Sequence, residues 1–169
     1  MRRALLLAAT FALVGTGTAV AQSDGLKVTG GGQVLAADQT AGPGDTIAFN
    51  AQQNSATEDN GSFPAKGQLQ VINRTNDKER FHGVVTCIRT FEGDNGEMFT
   101  RFGGYQRLPG NTQGVPFTVD TMDNGEGASG GNDMIAFRKR GAQDDPCDDS
   151  DSSTELRSTT LARGNVQQH

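Results

Sequence analysis

The sequence predicts an all-β fold, a single antiparallel β-sandwich or closed β-barrel of about eight strands, following a cleaved signal peptide. Three observations predict it. Short runs of alternating apolar and polar residues recur along the chain, clusters of Gly, Asn, Asp and Pro separate them, and beyond the first residues no stretch carries a helical apolar period. The plainest example is 81–102, FHGVVTCIRTFEGDNGEMFTRF, in which two apolar runs flank a polar connection containing Asp94-Asn95-Gly96. Asn-Gly supplies the two positive-φ residues of a type I′ turn, whose twist matches that of the strands it joins. This hairpin, with its longer connection, is the stretch around which the rest is organised.

The chain opens on Met1-Arg2-Arg3, an apolar run over 4–14, and Ala19-Val20-Ala21 before Gln22. That order of basic, apolar and small-x-small segments is a secretory signal peptide cleaved after residue 21. The apolar run is shorter than the ~20 residues a membrane-spanning helix needs. No later segment is long and apolar enough to span a bilayer, so no transmembrane segment is expected after cleavage. Residues 22–169 are enough for one β domain with a real core.

Within that domain, 27–29 lead through the flexible Gly30-Gly31-Gly32 into a first strand at 33–37. Those glycines lack the Gly-Lys-Ser/Thr of a phosphate loop and mark a turn or a close backbone approach. After Gly42-Pro43-Gly44-Asp45, a second strand covers 46–52 with Ile47 and Phe49 on one face. The third, 67–73, sets Leu69 and Val71 against Gln68 and Gln70. The fourth places Phe81, Val85, Cys87 and Phe91 on one face and Val84, Thr86 and Ile88 on the other, as befits a strand apolar on both sides. Strand five, 98–105, ends in Gly103-Gly104, where a bulge or bend is expected. Strand six covers 115–121, strand seven 134–140 and strand eight 159–168, with an acidic, Ser-rich loop at 141–155.

The chain carries 15 Lys and Arg against 20 Asp and Glu, a net charge of −5, and cleavage removes Arg2 and Arg3 but no acid. An acidic surface without a basic cluster argues against nucleic acid and anionic membranes as partners. The two cysteines, Cys87 and Cys147, in an exported chain predict one intramolecular disulfide. It closes a loop of about 60 residues and contributes about 4 kcal/mol on the chain-entropy model. No CxxC and no neighbouring base favours a metal thiolate or a reactive thiol.

Three Asp-Asn-Gly triplets, at 59–61, 94–96 and 123–125, read as three similar turns. Gly127-Ala128-Ser129-Gly130-Gly131 matches G-x-S-x-G as a string but lacks the strand-to-helix context of a hydrolase elbow. His82 begins a strand and reads as a packing or hydrogen-bonding residue, with no nucleophile or carboxylate placed beside it. Asn60-Gly61-Ser62 and Asn73-Arg74-Thr75 fit the glycosylation sequon, which matters only in a eukaryotic secretory route. The one candidate metal constellation is Asp120, Asp123, Asn124, Glu126 and Asp133. Hard oxygen ligands crowded on a turn suit Ca2+, although the spacing is not that of an EF-hand. A turn with solvated acids accounts for the same residues.

Five short motifs, taken in order, resemble the post-COAP domains, β-rich modules of exported bacterial proteins. They are Val28-Thr29-Gly30-Gly31-Gly32, Ala48-Phe49-Asn50-Ala51-Gln52, Lys66-Gly67-Gln68-Leu69-Gln70, Asp123-Asn124-Gly125-Glu126 with Asp133 and Phe137, and Gly164-Asn165-Val166-Gln167. The resemblance covers 28–169 and implies an extracytoplasmic β domain with no established activity and no catalytic residues to carry over. The two cysteines and the acidic loop at 144–151 depart from that pattern.

Two classes of function follow. One is a secreted, periplasmic or cell-surface non-enzymatic module that binds, adheres or spaces toward an extracellular partner, stapled by the disulfide and stabilised by Ca2+. The other is a small barrel carrying an apolar ligand or acting as an isomerase or cyclase. Phe49, Phe81, Phe91, Phe117 and Phe137 discriminate them, since they either pack the interior shut or line a cavity. With no Trp and a single Tyr, Tyr105, the chain lacks a platform of stacked aromatics for carbohydrate.

Overall fold

A computed structural model describes residues 25–34, 44–59, 61–74, 80–93, 95–125, 133–148 and 159–169. Eight strands make up the fold: β1 Lys27–Val34, β2 Thr46–Gln53, β3 Phe63–Ile72, β4 Arg80–Glu92, β5 Met98–Arg107, β6 Gln113–Met122, β7 Met134–Lys139 and β8 Thr159–Gln168. Besides these, a 3₁₀ turn at Pro109–Asn111 is the one helical element among the described residues. The fold is therefore all-β, as the alternation predicts, and no helix among the described residues is long and apolar enough to cross a membrane.

Each strand pairs antiparallel with the next in sequence, from β1–β2 to β7–β8. β8 also pairs with β1, from Val28↔Gln168 to Val34↔Leu161. The β7–β8 seam is the shortest, with Met134↔Thr160 and Ile135↔Thr159 alone. One face of every strand contributes to a single apolar core: Val28 from β1, Ile47 and Phe49 from β2, Leu69 from β3, Val85 and Ile88 from β4, Phe102 from β5, Phe117 and Val119 from β6, Ile135 from β7 and Val166 from β8. Phe49 meets Phe102 at 5.2 Å between ring centroids, and Phe81 meets Phe117 at 5.6 Å and Phe137 at 5.1 Å. Offset and edge-on contacts at these separations are attractive beyond the area they bury.

Two readings of the sequence are corrected here. The triple glycine is not a lead-in to a strand but lies within β1, and the reason is crowding. A Cβ on Gly30 would stand 2.7 Å from both the Asn165 carbonyl oxygen and the Phe49 ring, and one on Gly32 would collide with the Arg163 carbonyl. The residues expected to continue that strand, 35–37, lie outside the described ones. The second correction concerns β4, where the register slips between Val85 and Cys87 opposite Gly104 and Gly103. One extra residue in a strand exchanges its faces beyond that point. Val85 and Ile88 thus both point into the core, while Cys87 and Phe91 point outward, away from the face they share with Phe81 on simple alternation. The irregularity expected at Gly103-Gly104 sits on the partner strand. The glycines mark where that strand approaches, since a Cβ on Gly104 would collide with the Val84 carbonyl.

The turns follow the triplets as far as they are described. Gly61, Gly96 and Gly125 adopt φ of +76°, +85° and +99°, the left-handed region that favours glycine. Asn60 and Asp94 lie outside the described residues, as does the string at 127–131.

Candidate functional site

Three of the carboxylates offered as Ca2+ ligands, Asp120, Asp123 and Asp133, have partners within the fold. Asp120 sits on the outward face of β6, opposite Arg101 of β5, and is buried. Its Oδ1 accepts from Arg101 Nε at 2.6 Å and its Oδ2 from Arg101 Nη2 at 3.0 Å, with Arg138 Nη2 at 3.6 Å. This is a bidentate fork, the geometry that makes Arg–carboxylate pairs strong and specific.

Asp133 is also buried, but it serves another end of the sheet. Its Oδ2 accepts from the backbone N–H of Val166 at 2.7 Å and its Oδ1 from that of Asn124 at 3.1 Å. Asp123 Oδ2 accepts from the N–H of Gln168 at 3.1 Å, while its Oδ1 closes a turn onto Gly125 N–H at 2.9 Å. Beyond Thr160, β8 has no β7 residue opposite it, and the two aspartates take that place by accepting N–H groups of β8. A buried N–H left without an acceptor would cost about 1–3 kcal/mol.

Asp123, Asn124 and Asp133 thus meet beside β8, while Asp120 stands apart on the outward face of β6. Glu126 lies outside the described residues, and among those described no group of three or more His, Cys, Asp or Glu is arranged to hold a metal. The described carboxylates, Asp120, Asp123 and Asp133, are engaged by an arginine fork and by backbone amides.

Cys87 and Cys147 form the expected disulfide. It anchors 141–148 as a strap across the outward face of β5 and β6. The strap lies flat because Gly103 has no side chain: a Cβ there would be 2.7 Å from the Pro146 carbonyl carbon. Thr118, opposite Gly103 in register, donates its hydroxyl to the Pro146 carbonyl at 2.8 Å. Within the strap, Asp145 accepts from Cys147 N–H at 2.9 Å and Asp144 from Gly141 N–H at 2.8 Å. Phe91, expected in the interior, instead stacks on Phe99 at 5.3 Å, with Arg101 4.8 Å above its ring.

Away from the strap the outward face is open. Registration places Asn50, Gln68, Val84 and Tyr105 in one row across β2, β3, β4 and β5, and Ala48, Gln70 and His82 in the next. Of these, Ala48, Asn50, Gln68, His82 and Val84 are exposed. Three depressions follow one another over this face. The first, about 540 Å3, is lined by Asn50, Gln68, Gln70, His82, Val84 and Arg107 among others, with Phe49 and Leu69 also reaching it. The second, about 300 Å3, shares Val84 and Arg107 with the first and adds Thr86, Tyr105 and Gln113. The third, about 460 Å3, shares Thr86, Tyr105 and Gln113 with the second and ends at Asp59, Asp144 and Asp145. Shared walls make them one trough. Asn50 is held in place by accepting Gln68 N–H at 2.8 Å through its Oδ1.

Reading along the chain misses this trough, because these lining residues come from five strands, β2 to β6, and two loops, and only the fold brings them together. The one signal available was the polar half of each alternation, rich in Asn and Gln at 50, 68 and 70. No family model matches the chain, and no curated protein or solved structure matches it either.

Proposed function

We propose that the chain is a secreted, periplasmic or cell-surface non-enzymatic β module, and that it binds its partner through the outward face of β2–β5. The observation that carries the reading is where the aromatic residues lie. Phe49 and Phe102, and the trio Phe81, Phe117 and Phe137, fill the interior with ring-to-ring contacts. The room described for a ligand lies on the outside, over exposed amides.

The closed barrel is part of this proposal, supported by the pairing of β8 with both β7 and β1. Export is supported by the leader pattern at 1–21 and by a disulfide, which persists in oxidising compartments. The likeness of the five short motifs to post-COAP domains fits the same picture.

Titration with cis-parinaric acid, a fluorescent apolar probe, tests the reading. No saturable binding is expected at micromolar protein. Saturable binding that Phe117→Ala changes would restore a ligand-carrying barrel and overturn the outer-face module.

A further inference from the structure

We propose that the trough takes a neutral oligosaccharide chain, an inference that rests on the outer-face reading above. The chemistry of its wall is the first reason. Asn50, Gln68, Gln70 and Gln113 each offer a donor and an acceptor on one rigid amide, and Tyr105 and Thr86 add hydroxyls that do both. A hydroxyl-rich ligand needs this dual capacity, since each of its OH groups also donates and accepts. Between them, Val84, 41% exposed, lies opposite Tyr105 in register. Together they make a small apolar seat for the C–H face of one sugar ring, in place of the platform of stacked aromatics that a chain with one Tyr and no Trp lacks.

Topology argues against a peptide held as an added strand. That mode needs a long unpaired strand edge, and each of β1 to β8 pairs on both sides over part of its length, the shortest pairing being the two residues Met134 and Ile135 of β7 with β8. Where β8 runs past its β7 partners, Asp133 and Asp123 already accept the N–H groups of Val166 and Gln168.

Charge argues for a neutral chain. Arg107 faces the trough near its first part and Asp59, Asp144 and Asp145 near its last, so a charged chain of either sign would meet a like charge at one end. Asp144 is 4.0 Å from Arg140, and Asp145 accepts from Cys147 N–H. The row from Asn50 on β2 to Tyr105 on β5 crosses three strand spacings, roughly 14 Å, which is room for a short run of linked rings.

The test is retention and calorimetry with defined probes. Wild-type protein is mixed with insoluble cellulose, chitin and starch granules, and in parallel with immobilised gelatin. Cellohexaose, chitohexaose and maltohexaose are then titrated in solution. At least one polysaccharide is expected to retain the protein, with its hexasaccharide binding in solution. Tyr105→Ala and the double variant Asn50→Ala, Gln68→Ala should weaken that binding about tenfold or more, which is about 1.4 kcal/mol. Met98→Ala, an exposed change outside the trough, should leave it unaltered. All variants should keep the wild-type melting temperature.

Sugar binding unaffected by the trough variants would place the site elsewhere and overturn the inference. Retention on gelatin alone, lost in the trough variants, would overturn the sugar assignment and leave the outer-face module standing. Retention on no matrix would overturn both.

Discussion

Across β2, β3 and β4 the outward residues Asn50, Gln68, His82 and Val84 stand in solvent, whereas across β5, β6 and β7 the outward residues Arg101, Thr118, Asp120 and Ala136 are buried. One sheet thus carries two outer faces. On the open one, amides need no protein partner because water, or a ligand, supplies it. On the covered one Thr118 is answered by the Pro146 carbonyl and Asp120 by the Arg101 fork, while Arg138 Nη2 comes no nearer than 3.6 Å to Asp120. The difference shows that alternation decides which residues leave the core, while cover from another segment decides whether those residues become structure or surface.

The covered face should be the fragile one. Asp120→Ala leaves Arg101 buried without its carboxylate and is expected to cost about 3–5 kcal/mol, measured by urea denaturation with the slope unchanged. The double variant Arg101→Met, Asp120→Leu should recover most of that loss, since a buried ion pair replaced whole by apolar groups is often neutral or better. A single variant within about 0.5 kcal/mol of wild type would mean that the two faces do not differ as described.

Removing the staple is the next largest effect. Cys87→Ser with Cys147→Ser should lower stability by about 2–4 kcal/mol, and limited proteolysis should then cut within 141–148, where the oxidised protein resists. Gly103→Ala should also loosen the strap with the disulfide intact, because the new methyl meets Pro146. Equal resistance to protease in all three proteins would show that the strap is not what covers β5 and β6.

The smallest effects belong to the aspartates at the short seam. Asp133→Ala strands the N–H of Val166 in a buried place and should cost about 1–3 kcal/mol. Asp123→Ala releases a part-buried N–H and should cost about 1 kcal/mol or less. Calcium should leave the wild-type melting temperature where chelator at equal ionic strength leaves it. An upward shift lost in Asp123→Asn would return these residues to the role of ligands.

Much of the fold is legible in the sequence. The eighth strand falls where alternation places it, and the second, fourth, fifth, sixth and seventh differ from the expectation by one or two residues at an end. What escapes has a common cause. The two-residue period cannot reveal the slip after Val85, so Cys87 and Phe91 are assigned to the wrong face. Glycine in 30–32 looks like freedom when read locally and like crowding once Phe49 and Asn165 are beside it. The partners of the acidic turn, the N–H groups of Val166 and Gln168, are not legible because they lie 33 and 45 residues away from the aspartates that accept them.

The pairing of β8 with β1 also has a meaning in time. A ribosome makes β1 first and β8 last among these strands, so the first strand waits for nearly the whole chain before one of its two neighbours exists. Contacts this distant in sequence slow folding, because the ends must meet before the pairing repays their loss of freedom. Such a chain cannot complete its sheet until β8, the last of these strands, has been made.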